Sequence, residues 1–340
     1  MSSCLDENAM LAFLSADAAA IEHDRAVLAH VGECERCRDW LVAMATIATT
    51  TEGRGIASAV EPSGEPAVSP FESRFQFGNL IGQGGMGAVW EATDLSTGEA
   101  VAIKVIETHD PVLRRRAIRE GKIRKRVTHP HLLVAHDQFE TLRGDIALVM
   151  ARLFGETLAD RLTREGPLSW NDARVVLLPI ASALMAVHAA GLVHRDVKPQ
   201  NIFLEAASPR KSWLLDFGMA KVLRDLSLSS TGGQLTAENA VLGTPHYMAP
   251  EQLYGEPDVG PAADVWAFGV VLFEALSGER AAPGKSFGQV FQAVTTGKLR
   301  SLREVAPHVP EAAATLVDGL LVREPAMRPP MVEVELALRK

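Results

Sequence analysis

The chain has 340 residues, of which 47% are hydrophobic and 22% charged, a composition that fits a folded globular protein and excludes a disordered, collagen-like or disulfide-framed chain. With 34 basic and 42 acidic residues the formal charge is −8, without the basic excess that grips phosphate backbones, so no nucleic-acid partner is expected. The acid is gathered at the front: residues 1–50 carry eight acidic and three basic side chains, whereas residues 74–340 carry 30 of each.

Residues 1–50 read as a small helical unit, and a unit of that size cannot bury a robust core unaided. It holds all three cysteines of the chain. Cys4, His30, Cys34 and Cys37 have the spacing C-x25-H-x3-C-x2-C, in which His30 and Cys34 share a helix face and Cys37 follows a turn later. Three thiolates and an imidazole are a ligand set for tetrahedral Zn²⁺. Two other readings stand beside it, reduced thiols in a helical core and a Cys34/Cys37 redox pair. Cysteines so placed do not form a secreted disulfide framework, and the N-terminus lacks the basic flank and apolar core of a signal peptide. A cytoplasmic setting is therefore expected.

Residues 51–73 follow as a linker: twelve of the twenty residues in 51–70 are Gly, Pro, Ser or Glu, too polar to offset the entropy of ordering. In the main body, 74–340, Phe75–Ile81, Ala88–Asp94 and Ala100–Val105 are strand-like runs, Arg114–Val127 has helical spacing and Asp145–Ala151 is strand-like. From Thr157 onward helical periodicity dominates, over 171–190, 261–277, 287–296 and 311–322. The apolar stretch Val175–Val193 contains Pro179 and His188 and is periodic with small residues, so a buried helix is expected there and no membrane insertion. Strands first and helices later predict an α+β, two-lobed architecture.

After Ile81 the run Gly82-Gln83-Gly84-Gly85-Met86-Gly87-Ala88-Val89 has the spacing G-x-G-x-x-G-x-V, in which glycines let backbone N–H groups approach phosphate oxygens. Alone the pattern is weak, because structural turns and dinucleotide-binding crossovers share it. Here it leads into a second strand, with Val101-Ala102-Ile103-Lys104 beyond, which sets the dinucleotide reading aside. His194-Arg195-Asp196-Val197-Lys198-Pro199-Gln200-Asn201, Asp216-Phe217-Gly218 and Ala249-Pro250-Glu251 then follow in order. On these five ordered motifs, residues 74–340 resemble the eukaryotic-like Ser/Thr protein kinases of bacteria.

The resemblance implies the bilobal protein-kinase fold, with a β-rich lobe and hinge over 74–153 and a helical lobe over 154–340. It implies ATP held by Ile81, Gly82, Gln83, Gly84, Gly85, Met86, Gly87, Ala88, Val89, Ala102, Lys104, Met150 and Leu153. Lys104 would meet the α- and β-phosphates and be fixed by Glu120; Asn201 and Asp216 would hold Mg²⁺ or Mn²⁺ through hard oxygen ligands. Asp196 would accept the proton of a substrate hydroxyl, Lys198 would steady the γ-phosphate, and Thr244 would favour Ser or Thr acceptors on protein substrates. Asp264 and the pair Glu251–Arg328 are implied as scaffold.

Arg195 implies activation by phosphate on the segment between Asp216 and Glu251, where Ser227, Ser229, Ser230, Thr231 and Thr236 are candidates for autophosphorylation, for which a dimer is one route. Two departures from the family pattern stand out: Arg124 where an apolar residue is usual, and Ala151-Arg152-Leu153 at the hinge where an acid is common. Residues 1–50 resemble the zinc-binding anti-sigma-factor domains, which implies an all-α module and a sigma-factor-like regulatory partner. The rival readings are a nucleotide-binding pseudokinase scaffold and a metal- or redox-sensing protein acting through residues 1–50.

Overall fold

The computed structural model describes residues 72–84, 87–106, 121, 127–141, 144–206, 211–215 and 245–340, all within the compact unit Ala67–Lys340. The expected helix Arg114–Val127 lies outside them apart from Gly121, which is helical, and Val127, which is buried.

The first lobe is an antiparallel sheet of β1 (Phe75–Gly84), β2 (Gly87–Asp94), β3 (Ala100–Ile106), β4 (Asp137–Glu140) and β5 (Ile146–Ala151), in the order β1-β2-β3-β5-β4. The two-residue period of a strand divides β3: Val101 and Ile103 join Phe75, Ala92, Phe139, Ala147 and Val149 in one apolar cluster, while Ala102 and Lys104 take the opposite face. The β1–β2 register shifts between Phe77 and Leu80 and again between Leu80 and Gly82. Arg74 ties three strands, reaching Asp94 Oδ2 at 2.5 Å and Asp137 Oδ2 at 3.0 Å. That guanidinium holds the Asp94 carboxyl well below the usual carboxylate range.

Gly87 sits at φ +122°, and a Cβ there would lie 2.0 Å from the Val105 carbonyl oxygen. Gly87→Ala is therefore expected to destabilise the sheet by about 1–3 kcal/mol, a strain cost typical of a forced backbone region. Urea unfolding of the variant checks this.

The second lobe contains α1 (Leu158–Glu165), α2 (Trp170–Ala189), α3 (Pro250–Leu253), α4 (Ala262–Ser277), α5 (Phe287–Thr296), α6 (Leu302–Val305), α7 (Glu311–Leu320) and α8 (Met331–Arg339). Helix α2 is long and apolar enough to cross a bilayer by length and composition. Its Leu177, Ile180 and Leu184 are nonetheless fully buried in a core shared with Phe268 and Phe273 of α4. Arg174 locks α8 onto α2 by donating to the carbonyls of Leu338 (2.5 Å) and Arg339 (2.9 Å). Helices α4 and α7 cross closely because Gly269 has no side chain; a Cβ there would come within 2.6 Å of Leu320 Cβ.

The helical reading from Thr157 onward needs one correction. Strand β6 (Gly155–Thr157), at its start, forms a small antiparallel sheet with β7 (Ile202–Glu205) and β8 (Ser212–Leu214) within it. Strands of three or four residues complete too few alternations to show a period. The bridge Leu132 to Leu214 joins this sheet to the segment leading into β4, which links the two lobes.

Candidate active site

The glycine-rich run forms a β-hairpin. Gly82 pairs with Val89, Gln83 with Ala88 and Gly84 with Gly87, and Ile81 lies beside them on β1. Across the sheet Val89 pairs with Lys104 and Ala102 with Met150, so these expected nucleotide contacts are strand neighbours. Lys104 is buried at 5% exposure, on the face away from the apolar cluster. Met150 is the penultimate residue of β5 and the half-buried Leu153 lies just beyond the strand. The unusual hinge residue Arg152 is occupied locally: its guanidinium lies 4.7 Å from the centre of the Phe154 ring and 3.8 Å from Glu91 Oε2.

In the second lobe, Asp196, Lys198 and Asn201 converge. Lys198 Nζ is 2.9 Å from each Asp196 carboxylate oxygen, and Asn201 Nδ2 donates to the Asp196 carbonyl at 2.7 Å and to Oδ2 at 2.8 Å. The Asp196 carboxylate is thereby fixed by two donors on a short turn, with Pro199 starting the single 3-10 turn that places Asn201. His194 is fully buried; its Nδ1 accepts from the Asp196 amide at 3.3 Å and its Nε2 donates to the Leu215 carbonyl at 2.9 Å. One imidazole therefore joins the Asp196 loop to the residue just before Asp216.

The loop is held from below by Asp264 on α4. Its Oδ1 accepts from the Arg195 amide at 2.7 Å, and its Oδ2 accepts from the His194 amide and His188 Nε2, both at 2.8 Å. Arg195 has φ 68°, the left-handed region that a branched-out L side chain normally avoids. The bond from its amide to Asp264, with Gln252 Nε2 donating to its carbonyl at 3.2 Å and its own Nη2 donating to Val259 O at 3.0 Å, keeps it there.

Arg328 and Glu251 form a buried two-pronged pair, with Nη1 to Oε1 at 2.6 Å and Nη2 to Oε2 at 2.9 Å. The Arg328 side chain is wholly inaccessible and also donates to the carbonyls of Val322, Ala262 and Arg323. Arg328→Ala is expected to cost about 3–5 kcal/mol of stability, because it leaves Glu251 charged and unpaired in the interior. Chemical denaturation reads this directly. Nearby, Tyr247 donates to Glu274 Oε2 at 2.6 Å, and burial pushes both of these groups above their ordinary pKa.

Glu120, Asp216, Thr244, Gly85, Met86, Arg124 and the hydroxyls Ser227, Ser229, Ser230, Thr231 and Thr236 lie outside the described residues, as do Cys4, His30, Cys34 and Cys37. Three participants escaped the sequence reading. His194 could have been found as the first residue of its motif, whereas His188 and Gln252 carry no local signal, since their partners stand 76 and 57 positions away.

Residues 75–336 match the family model described as "Protein kinase domain". Among known proteins, the chain is 37% identical over 266 residues to serine/threonine-protein kinase PknA of Mycobacterium tuberculosis, covering 75% of this chain and 58% of that one. It is 38% identical over 207 residues to PknE of the same organism, covering 60% of this chain and 35% of that one. The chain thus spans less than three-fifths of the length of either relative. A solved structure of Rad53 1–466 in complex with AMP-PNP superposes with a TM-score of 0.63 at 24% identity, over 78% of this chain and 64% of that one, which is a likeness of fold. With the family model matching most of its length and the glycine hairpin, buried lysine and Asp196 cluster in place, this chain belongs to the protein kinase family.

Proposed function

We propose that the chain is an ATP- and magnesium-dependent protein kinase that phosphorylates Ser and Thr hydroxyls. The observation that carries this reading is Asp196 held by Lys198 and Asn201. A carboxylate so placed can take the proton of an attacking hydroxyl while the adjacent ammonium offsets charge on the transferred group. The hydroxyl oxygen bonds to the γ-phosphorus, the bond to the β-phosphate oxygen breaks and ADP leaves. Asn201 fits a cation ligand: its Nδ2 is engaged by Asp196, and among the described residues none donates to its Oδ1, a hard oxygen donor. Magnesium, when bound, neutralises phosphate charge. Asp216 joins Asn201 as the second ligand in this reading, Lys104 with Glu120 orients the phosphates, and Thr244 selects the acceptor. The test is transfer of labelled γ-phosphate to the protein itself and to a generic basic substrate; binding of ATP without transfer to either would favour a scaffold. Phosphate mapped to the segment between Asp216 and Glu251 would assign Arg195 its activating partner.

Residues 1–50 carry a second proposal, supported by the ligand spacing of Cys4, His30, Cys34 and Cys37 and by the resemblance to anti-sigma-factor domains. In this reading they bind one Zn²⁺ and recruit a regulatory protein in the cytoplasm. Elemental analysis of freshly reduced full-length chain is expected to give one zinc per molecule, falling in Cys34→Ser. Absence of zinc ends the metal reading.

A further inference from the structure

A recess of about 410 Å³ lies between α2, the start of α4 and the segment leading into α8, on residues that take no part in nucleotide binding or proton transfer. Met185, Val265, Pro329, Pro330 and Val332 make its apolar wall, and His188 and Arg328 are its polar members, the Arg328 guanidinium being taken up by Glu251 and three carbonyls. The volume lies within the range of small-molecule sites, which are mostly apolar with a few placed polar groups. The prolines fix their own backbone, so little ordering is left to be done on binding. Val332 is 45% exposed, so the wall continues as apolar surface toward solvent.

His188 gives the recess its chemistry and its connection. Asp264 is an acceptor toward two amides and toward His188 Nε2, so Nε2 carries a ring proton and Nδ1 is the ring nitrogen left to accept from a ligand. In an apolar wall such an acceptor selects a ligand with one N–H or O–H. The same imidazole touches the carboxylate that holds His194 and Arg195. A ligand that immobilises His188 removes one freedom from that carboxylate and so from the loop above it.

We propose that this recess binds a small, flat, largely apolar molecule bearing one hydrogen-bond donor, and that binding steadies the catalytic loop through His188 and Asp264. Neither part requires phosphoryl transfer, so failure here leaves the kinase reading intact. The probe is indole, with 1-methylindole as a match in shape that lacks the donor, titrated into the full chain and followed by ligand-observed NMR. Indole is expected to bind one per chain at least tenfold more tightly than 1-methylindole, and ATP should not displace it. Binding should be lost in Val332→Trp, which closes the mouth from an exposed position, and kept in Leu95→Trp, an exposed change in the other lobe. Hydrogen exchange at the His194 and Arg195 amides should slow severalfold with indole. Equal binding of the two probes, retention in Val332→Trp, or unchanged exchange with indole bound overturns the proposal.

Discussion

Asp196→Asn is expected to lower phosphoryl transfer by about 10²–10⁴, the usual worth of a positioned proton acceptor. That corresponds to roughly 3–5 kcal/mol of barrier. The substitution is nearly isosteric, and an amide oxygen can still accept from Lys198 Nζ, which now sits 2.9 Å from both carboxylate oxygens. The fold and nucleotide binding should therefore persist. The acceptor side is what fails: an amide cannot take the hydroxyl proton, so the attacking oxygen stays a poor nucleophile. Labelled transfer measured beside nucleotide affinity separates the two effects. A variant that transferred at the wild-type rate would remove Asp196 from the chemistry; one that also lost nucleotide would point to a collapsed loop.

Asp264→Ala is expected to damage the structure as much as Arg328→Ala, at about 3–5 kcal/mol. It strands the amides of His194 and Arg195 and the Nε2 of His188, and each buried donor left without an acceptor costs about 1–3 kcal/mol, not additively. The left-handed backbone at Arg195 adds its own strain of about 1–3 kcal/mol once its amide tether is gone. Against a typical stability of about 5–15 kcal/mol this is a large fraction. The urea midpoint should fall sharply, and any folded remainder should transfer phosphate poorly because Asp196 lies next to the released residue. His188→Phe removes one of the three donors together with its own demand and should cost much less. Equal losses in the two variants would mean that the amides find other acceptors.

The parts of the molecule that were legible in advance are those where chemistry or a long period constrains neighbouring residues. The glycines of the hairpin, Lys104 and the Asp196-to-Asn201 turn stand at spacings set by the phosphates they would meet. Helix α5 matched its expected span of 287–296 because its ends are marked: Ser286 and Gln289 make a capping box and Gly297 closes it in the left-handed region. Helix α2 also was read correctly as buried, since its small residues recur at core spacing. The short strands β4 and β6 to β8 were missed for want of a period. The anchoring of Arg195 was illegible for another reason: its backbone conformation is imposed by a carboxylate 69 positions away, and nothing in the residue itself announces a positive φ.

The two shifts of register in β1 have a consequence for the behaviour of the protein in solution. In the order of the sheet β1 is terminal, ten residues long, with Phe77 and Leu80 each 43% exposed. A straight strand of that length and character would offer a continuous row of amides and carbonyls for another chain to extend. Irregularities like those between Phe77 and Gly82 bend a strand and raise its twist, which disfavours a long flat alignment with a second molecule. The strand proposed to cover a nucleotide is thus also poorly suited to templating aggregation.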